Sequence, residues 1–149
     1  MKIIIFIVIF FLNTHTLAKQ LDVSSYHIDS DYLKINENPL IAKFIGNVYA
    51  RNIVNNFWGD EIIAIYDSKK KLILITIKGN VKIKRNNEII NGDYAEYNLK
   101  EEKIQVIGNV NLLKDGNNLK GNELNVDLIK SISIMNGNIN NQVEAKIVK

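Results

Sequence analysis

Apolar and polar residues alternate with a period of two over most of the chain. Ile75, Ile77, Gly79, Val81 and Ile83 share one parity, and Thr76, Lys78, Asn80, Lys82 and Lys84 take the other. The same alternation places Ile104, Val106, Gly108, Val110 and Leu112 together, and likewise Ala42, Phe44, Gly46, Val48 and Ala50. Successive side chains of a strand point to opposite faces, so this is the signature of half-buried β-strands. Further alternating runs are Asp60, Ile62, Ala64, Tyr66; Asp93, Ala95, Tyr97, Leu99; and Asn122, Leu124, Val126, Leu128. Clusters rich in Asn, Asp, Lys and Gly separate the runs, as at Asn55-Asn56, Asp67-Ser68-Lys69, Arg85-Asn86-Asn87 and Lys114-Asp115-Gly116-Asn117. Such clusters mark turns. No window past the N-terminal segment has the 3.6-residue period of an amphipathic helix.

The pattern is repeated. Gly46 and Gly59, Gly79 and Gly92, and Gly108 and Gly121 are each 13 residues apart, and the second glycine is followed by Asp60, Asp93 or Asn122. The unit is about 29 residues long and recurs roughly four times, with partial copies starting at Asp31 and Gly137 and four extra residues near Asp67–Leu72. These repeats predict an all-β protein of stacked antiparallel hairpin units, either a jelly roll or an elongated solenoid-like sandwich. The first glycine of each pair falls on the apolar parity. A missing side chain there leaves room in the lining or lets the sheet bend sharply.

Stacked repeats merge their apolar faces into one continuous stripe. The stripe comprises Phe44, Val48, Ile62, Ile75, Ile77, Val81, Ile83, Ala95, Tyr97, Ile104, Val106, Val110, Leu112, Leu124 and Val126. A closed sandwich core and a groove open along one edge both satisfy the pattern, and the second suits an elongated amphiphile. The first copy is less tidy, with Ile45 and Tyr49 at outward positions.

Candidate chemistry adds little. Past the N-terminal segment His27 is the single histidine and has no partner cluster. Asp31, Asp60, Asp93 and Asn122 are too far apart in sequence for a calcium loop and read as Asx caps beside glycines. No nucleophile triad, phosphate loop or metal-ligand spacing is present, so the reading is non-enzymatic, without cofactor, metal or catalytic residues. Outward Lys78, Lys82, Lys84 and Arg85 read as a solvated face that also guards against stray strand pairing.

Composition and charge place the chain. Its 149 residues suit one domain. Lys2, the apolar run Ile3–Leu12 and Thr16-Leu17-Ala18 match a cleavable signal peptide over 1–18. Residues 19–149 then form the β domain, exported from the cytoplasm. The run is short for a membrane-spanning helix, although a retained segment would make the chain membrane-anchored. There are no cysteines, and the net charge of +3 is too small to imply nucleic acid.

Several segments carry a family resemblance. They are HIDSDYLKI at 27–35, AKFIGNVYA at 42–50, GDEIIAIYD at 59–67, IKGNVKI at 77–83, INGDYAEYNLKEEKIQVIGNVNL at 90–112 and LKGNELNVDL at 119–128. In order and spacing they resemble the OstA-like repeat of the LptA family of periplasmic lipopolysaccharide transport proteins. The resemblance implies a β-jelly roll folded as a V-shaped β-taco, whose apolar trough takes the lipid A acyl chains of lipopolysaccharide. It also implies a periplasmic location and end-to-end stacking of protomers, strand edge to strand edge. The implied partners are an LptC-like inner-membrane component and an LptD-like outer-membrane component, joined in a bridge between the membranes. The short signal and the lack of a barrel-length C-terminal region separate the chain from those two. The alternative is a self-assembling periplasmic β-protein with a sealed core and no lipid ligand.

Overall fold

The computed structural model describes residues 25–148, so the expected signal peptide lies outside the described residues. Ten strands follow one another. They are β1 (His27–Asp29), β2 (Tyr32–Glu37), β3 (Leu40–Arg51), β4 (Asn55–Tyr66), β5 (Leu72–Arg85), β6 (Glu88–Asn98), β7 (Lys103–Lys114), β8 (Asn117–Asp127), β9 (Ile132–Asn136) and β10 (Glu144–Lys146). The six long strands β3 to β8 form an antiparallel meander in which each strand pairs with the next. At one end β1 and β2 share β3, pairing with its two halves. At the other end β9 and β10 share β8 in the same way.

Each ladder is interrupted at the same level. The register shifts between Ile45 and Val48, Lys78 and Val81, and Ile107 and Val110, facing the shifts at Trp58/Glu61 and Asn91/Tyr94. These are bulges, one extra residue on the Gly-Asn-Val strand, and a bulge bends its strand. Their alignment folds the single sheet into two walls. The first wall contains β2, β9 and the long-strand segments 41–45, 61–66, 72–78, 94–98, 103–107 and 123–127. The second contains β1, β10 and the segments 48–51, 55–58, 81–85, 88–91, 110–114 and 117–121. The walls face each other: the Phe57 ring of the second lies 6.2 Å from the Tyr97 ring of the first, though their strands are not neighbours.

The two glycines of each repeat do different jobs. Gly46, Gly79 and Gly108 have φ of 81°, 71° and 80°, and the asparagines that follow are also at positive φ. Only glycine, and asparagine less freely, adopts this region at low cost. A Cβ at Gly79 would lie 2.2 Å from Asp60 Oδ2, with Asp31 and Asp93 in the same relation to Gly46 and Gly108. These glycines therefore make the corner and are not gaps in the lining, which corrects one of the two expected readings and supports the other. The space-giving role belongs to the second glycines. A Cβ at Gly59 would meet Ile77 Cγ2 at 2.4 Å, and one at Gly92 would meet Val106 Cγ1 at 2.5 Å.

The aspartates also sit differently from the expected alternation. Gly59 and Ile62 are both buried, whereas Asp60 is exposed at the outer corner. The alternation slips by one residue where the strand turns. Each corner is clipped by the neighbouring copy: Asn47, Asn80 and Asn109 donate from Nδ2 to Asp31, Asp60 and Asp93 at 2.8, 2.9 and 2.8 Å. Asn138 donates to Asn122 Oδ1 at 3.4 Å at the fourth corner. The Asx residues thus serve structure, as their position beside glycines predicts.

Candidate functional site

The inner faces carry the apolar parity of every long strand. Nearest the corner, Val48, Ile62, Ile77, Val81, Val106, Val110 and Leu124 interleave and are at most 2 % exposed. One step out, Phe57, Ile75, Ile83, Ile90, Ile104, Leu112 and Val126 continue the packing. All fifteen residues expected in the apolar stripe lie in this interior. Thirteen are buried, and Phe44 and Tyr97 are partly exposed against the same cluster. The base of the V is therefore packed by its own side chains.

The interior opens where the strands run out. A cleft of about 1190 Å³ lies between the hairpin ends of the two walls. The first wall contributes Tyr66, Leu72, Tyr97, Leu99 and Leu128, and the second contributes Asn55 and Arg85, with Tyr26 and Ile28 beside them. Ile75 and Tyr97 are the two residues of the expected stripe that line it. Leu99 and Leu128 end the same alternating runs that contain Tyr97 and Val126, so continuing the parity to the turns would have found them. Asn55 and Arg85 share the parity of Phe57 and Ile83, and polar residues on an apolar parity were the signal for them.

Polar groups at the mouth sit in a poor solvent. Burial, with the Tyr97 hydroxyl nearby, pushes the Tyr26 phenol up to about 12, although the Asn55 side chain works the other way. Burial also raises Tyr97, reinforced by Glu102 and opposed by Arg85. Asn55 is 6 % exposed, and its Oδ1 has no hydrogen-bond partner. Tyr26, Phe57 and Tyr97 form a tilted aromatic chain, with centroids 5.9 and 6.2 Å apart, that ties the walls together below the mouth.

The outer faces differ from this. On the first wall Lys43 and Lys78 pair with Glu61. On the second, Tyr49 stacks on Trp58 with centroids 4.9 Å apart, and Arg51 and Lys82 cover the outer ring faces. The outward aromatic at Tyr49, untidy in the sequence, is thus a cross-strand pair that stabilises the sheet. A shallower depression of about 420 Å³ lies beside β9 and is lined in part by Glu96, Gln105, Asn125, Ile132 and Ile134. Among the described residues no group of three or more His, Asp or Glu is placed to hold a metal.

A bent antiparallel sheet whose apolar interior opens through a cleft between its walls defines the class: an all-β protein of the β-taco type. Its particular family follows from comparison. The model of the LptA/(LptD N-terminal domain) LPS transport protein family matches residues 27–132, and the chain belongs to that family. It is a lipopolysaccharide transport protein and not an enzyme. The fold is also that of the crystal structure of LptH from Pseudomonas aeruginosa, described as the LptA homologous periplasmic component of the conserved lipopolysaccharide transport device. The TM-score is 0.76 at 13 % identity, over 85 % of this chain and 96 % of that one. No curated protein sequence matches the chain.

Proposed function

We propose that this chain shields the acyl chains of lipid A within its V while the saccharide stays in solvent, and that it does so in the periplasm as part of a bridge between the two membranes. The observation that carries the reading is a cleft of about 1190 Å³, with a charged rim, opening onto a continuous apolar interior. It is larger than the roughly 300–1,000 Å³ of ordinary small-molecule sites. Each buried methylene contributes about 0.8 kcal/mol, so a few acyl chains in the cleft supply the binding energy without covalent chemistry. Chains enter at Leu72, Tyr97 and Leu99. The stripe below them, including Ile77, Val81 and Val106, is reached when the walls part. The periplasmic location agrees with the expected signal peptide and with the description of LptH.

The two free edges suit end-to-end addition. Among the described residues β1 and β2 pair only with β3, and β9 and β10 only with β8, so each end of the described sheet leaves backbone donors and acceptors open. Leu33 and Ile35 on the inner face of β2 are 46 % and 56 % exposed, which carries the apolar stripe to the edge. An LptC-like component, an LptD-like component or a second copy would extend the sheet there and continue the trough.

Photo-crosslinking tests the reading. A photoreactive residue at Ile75, Tyr97 or Leu99 should capture lipopolysaccharide, and one at outward Lys82 should not. Equal capture on both faces would refute the trough and leave the sealed, self-assembling scaffold as the better account.

A further inference from the structure

The cleft is not uniformly apolar: Lys70, Lys71, Lys100 and Glu102 are exposed at its rim, Asp67, Glu96 and Asn98 belong to the first wall, and Asn55 and Arg85 lie side by side on the second. Asn55 and Arg85 are direct cross-strand partners on β4 and β5, both on the inner face of the second wall. Arg85 also opposes Glu88, but that carboxylate is taken by Lys114. Among the described residues Arg85 forms no ion pair. Across the cleft it faces the Tyr97 hydroxyl, on whose ionisation it acts. Asp67, the acid at the tip of the facing hairpin, is already engaged by the backbone amides of Lys69 and Lys71 at 2.8 and 2.9 Å. A half-buried guanidinium thus stands in the cleft without an ion pair, the carboxylates Glu96 and Glu102 lying on the other wall, beside a buried carbonyl oxygen without a donor. Both are costly arrangements unless something fills them. A guanidinium matches a phosphate in a bidentate geometry.

We propose that Arg85 and Asn55 are the head-group end of the cleft, selecting a phosphate-bearing acyl amphiphile with a hydrogen-bond donor next to its chain. Arg85 pairs with the phosphate, and Asn55 Oδ1 accepts from the hydroxyl or amide at the head of the acyl chain. The chain itself lies along Leu72, Tyr97 and Leu99. This assignment rests on the cleft being the acyl-chain site.

The test compares two amphiphiles with the same tail, 1-oleoylglycerol 3-phosphate and neutral 1-oleoylglycerol, each below its micellar concentration, by calorimetry with the mature chain. The phosphate-bearing lipid should bind about tenfold tighter or more. Arg85→Gln should abolish that preference by weakening the phosphate-bearing lipid about tenfold more than the neutral one, and Arg85→Lys should restore part of it. Lys84→Gln, the same charge change one residue away on the outer face, should leave the preference intact. Asn55→Leu should weaken binding of the hydroxyl-bearing lipids, and methylating that hydroxyl should remove the difference between the variant and the parent. Millimolar inorganic phosphate should fail to displace the lipid.

A preference that persists in Arg85→Gln, or is lost equally in Lys84→Gln, would overturn the assignment. So would displacement by inorganic phosphate alone, which would mark a free-anion site. If the parent chain binds both lipids with equal affinity, the head-group end is wrong and the acyl-chain cleft stands. If it binds neither, the cleft itself is wrong.

Discussion

The corner and the mouth of the V are built on opposite principles. At the corner each full repeat contributes the same parts. A Gly-Asn turn at positive φ, an Asx residue of the adjoining copy and a side-chain hydrogen bond between them recur three times, and the fourth corner keeps the Asn138–Asn122 bond without the positive φ. At the mouth the repeats agree less closely. Leu128 matches Leu99, and Asn117 with Lys114 matches Asn55 with Arg85, but Tyr97 stands where the other copies have Ala64 and Val126, and the longer hairpin around Asp67 belongs to one copy. Periodicity accompanies the bend, which every strand must make at the same level for the sheet to fold. Individuality, at Tyr97 and in the long hairpin, accompanies the opening, where the proposed ligand would present its two unlike ends. Repeats of this kind build the trough, and the departures from them fall at its opening.

The largest effect expected at the corner is that of Gly79→Val. The substitution forces a β-branched residue to φ +71° with its Cβ against Asp60 Oδ2. Strain and overpacking together should cost about 3 kcal/mol in urea unfolding. Pairing Gly79→Ala with Asp60→Ala removes the clash and leaves the backbone strain, so the double variant should recover part of that loss. Full recovery would mean that the positive φ costs nothing.

Asp60→Ala alone removes the clip on one corner and should cost about 1 kcal/mol in the same measurement. Leu99→Ala at the mouth reverses the balance. Its side chain is only partly buried, so stability should fall by about 1 kcal/mol or less, while crosslinking or calorimetric binding of an acylated ligand falls severalfold. A corner variant that lost ligand but kept stability would erase the distinction between the two regions.

Smaller effects follow from ionisation. Tyr26 has its phenol raised to about 12 by burial, from an ordinary value of 10. Because the folded-state value is the higher one, its contribution to stability is whole below pH 10 and is lost as the pH rises from about 10 to 12. Tyr97 and Tyr94 are raised as well, so absorbance titration should show several late tyrosines, and Tyr26→Phe should remove the step near pH 12 and lessen the alkaline loss of stability. On the outer face of the first wall, Lys43 holds the Glu61 carboxyl below its ordinary range by hydrogen bonding, with Lys78 adding to it. Here the stabilisation is present above the unfolded-state value and fades as the pH falls through the folded one. Lys43→Met should flatten this acid limb by less than about 1 kcal/mol, as expected of a surface pair.

Period-two alternation and the recurring glycines were enough to establish an all-β chain of stacked units, and each residue of the apolar stripe lies on the inner face its parity indicates. Strand periodicity is a local property, set by the geometry of the backbone itself, so it can be read directly from the chain. The corner was not readable in that way. Gly46, Gly79 and Gly108 keep apolar parity in the sequence, but their positive φ, and the slip of alternation at Gly59-Asp60, follow from a bulge that exists only when two strands pair out of step. The mouth was less readable still. Asn55 and Arg85 look like turn residues in sequence, and what sets them apart is an oxygen without a donor and a cation without an ion pair. Those properties depend on what the other wall places opposite them, and only the folding of one sheet onto itself decides that.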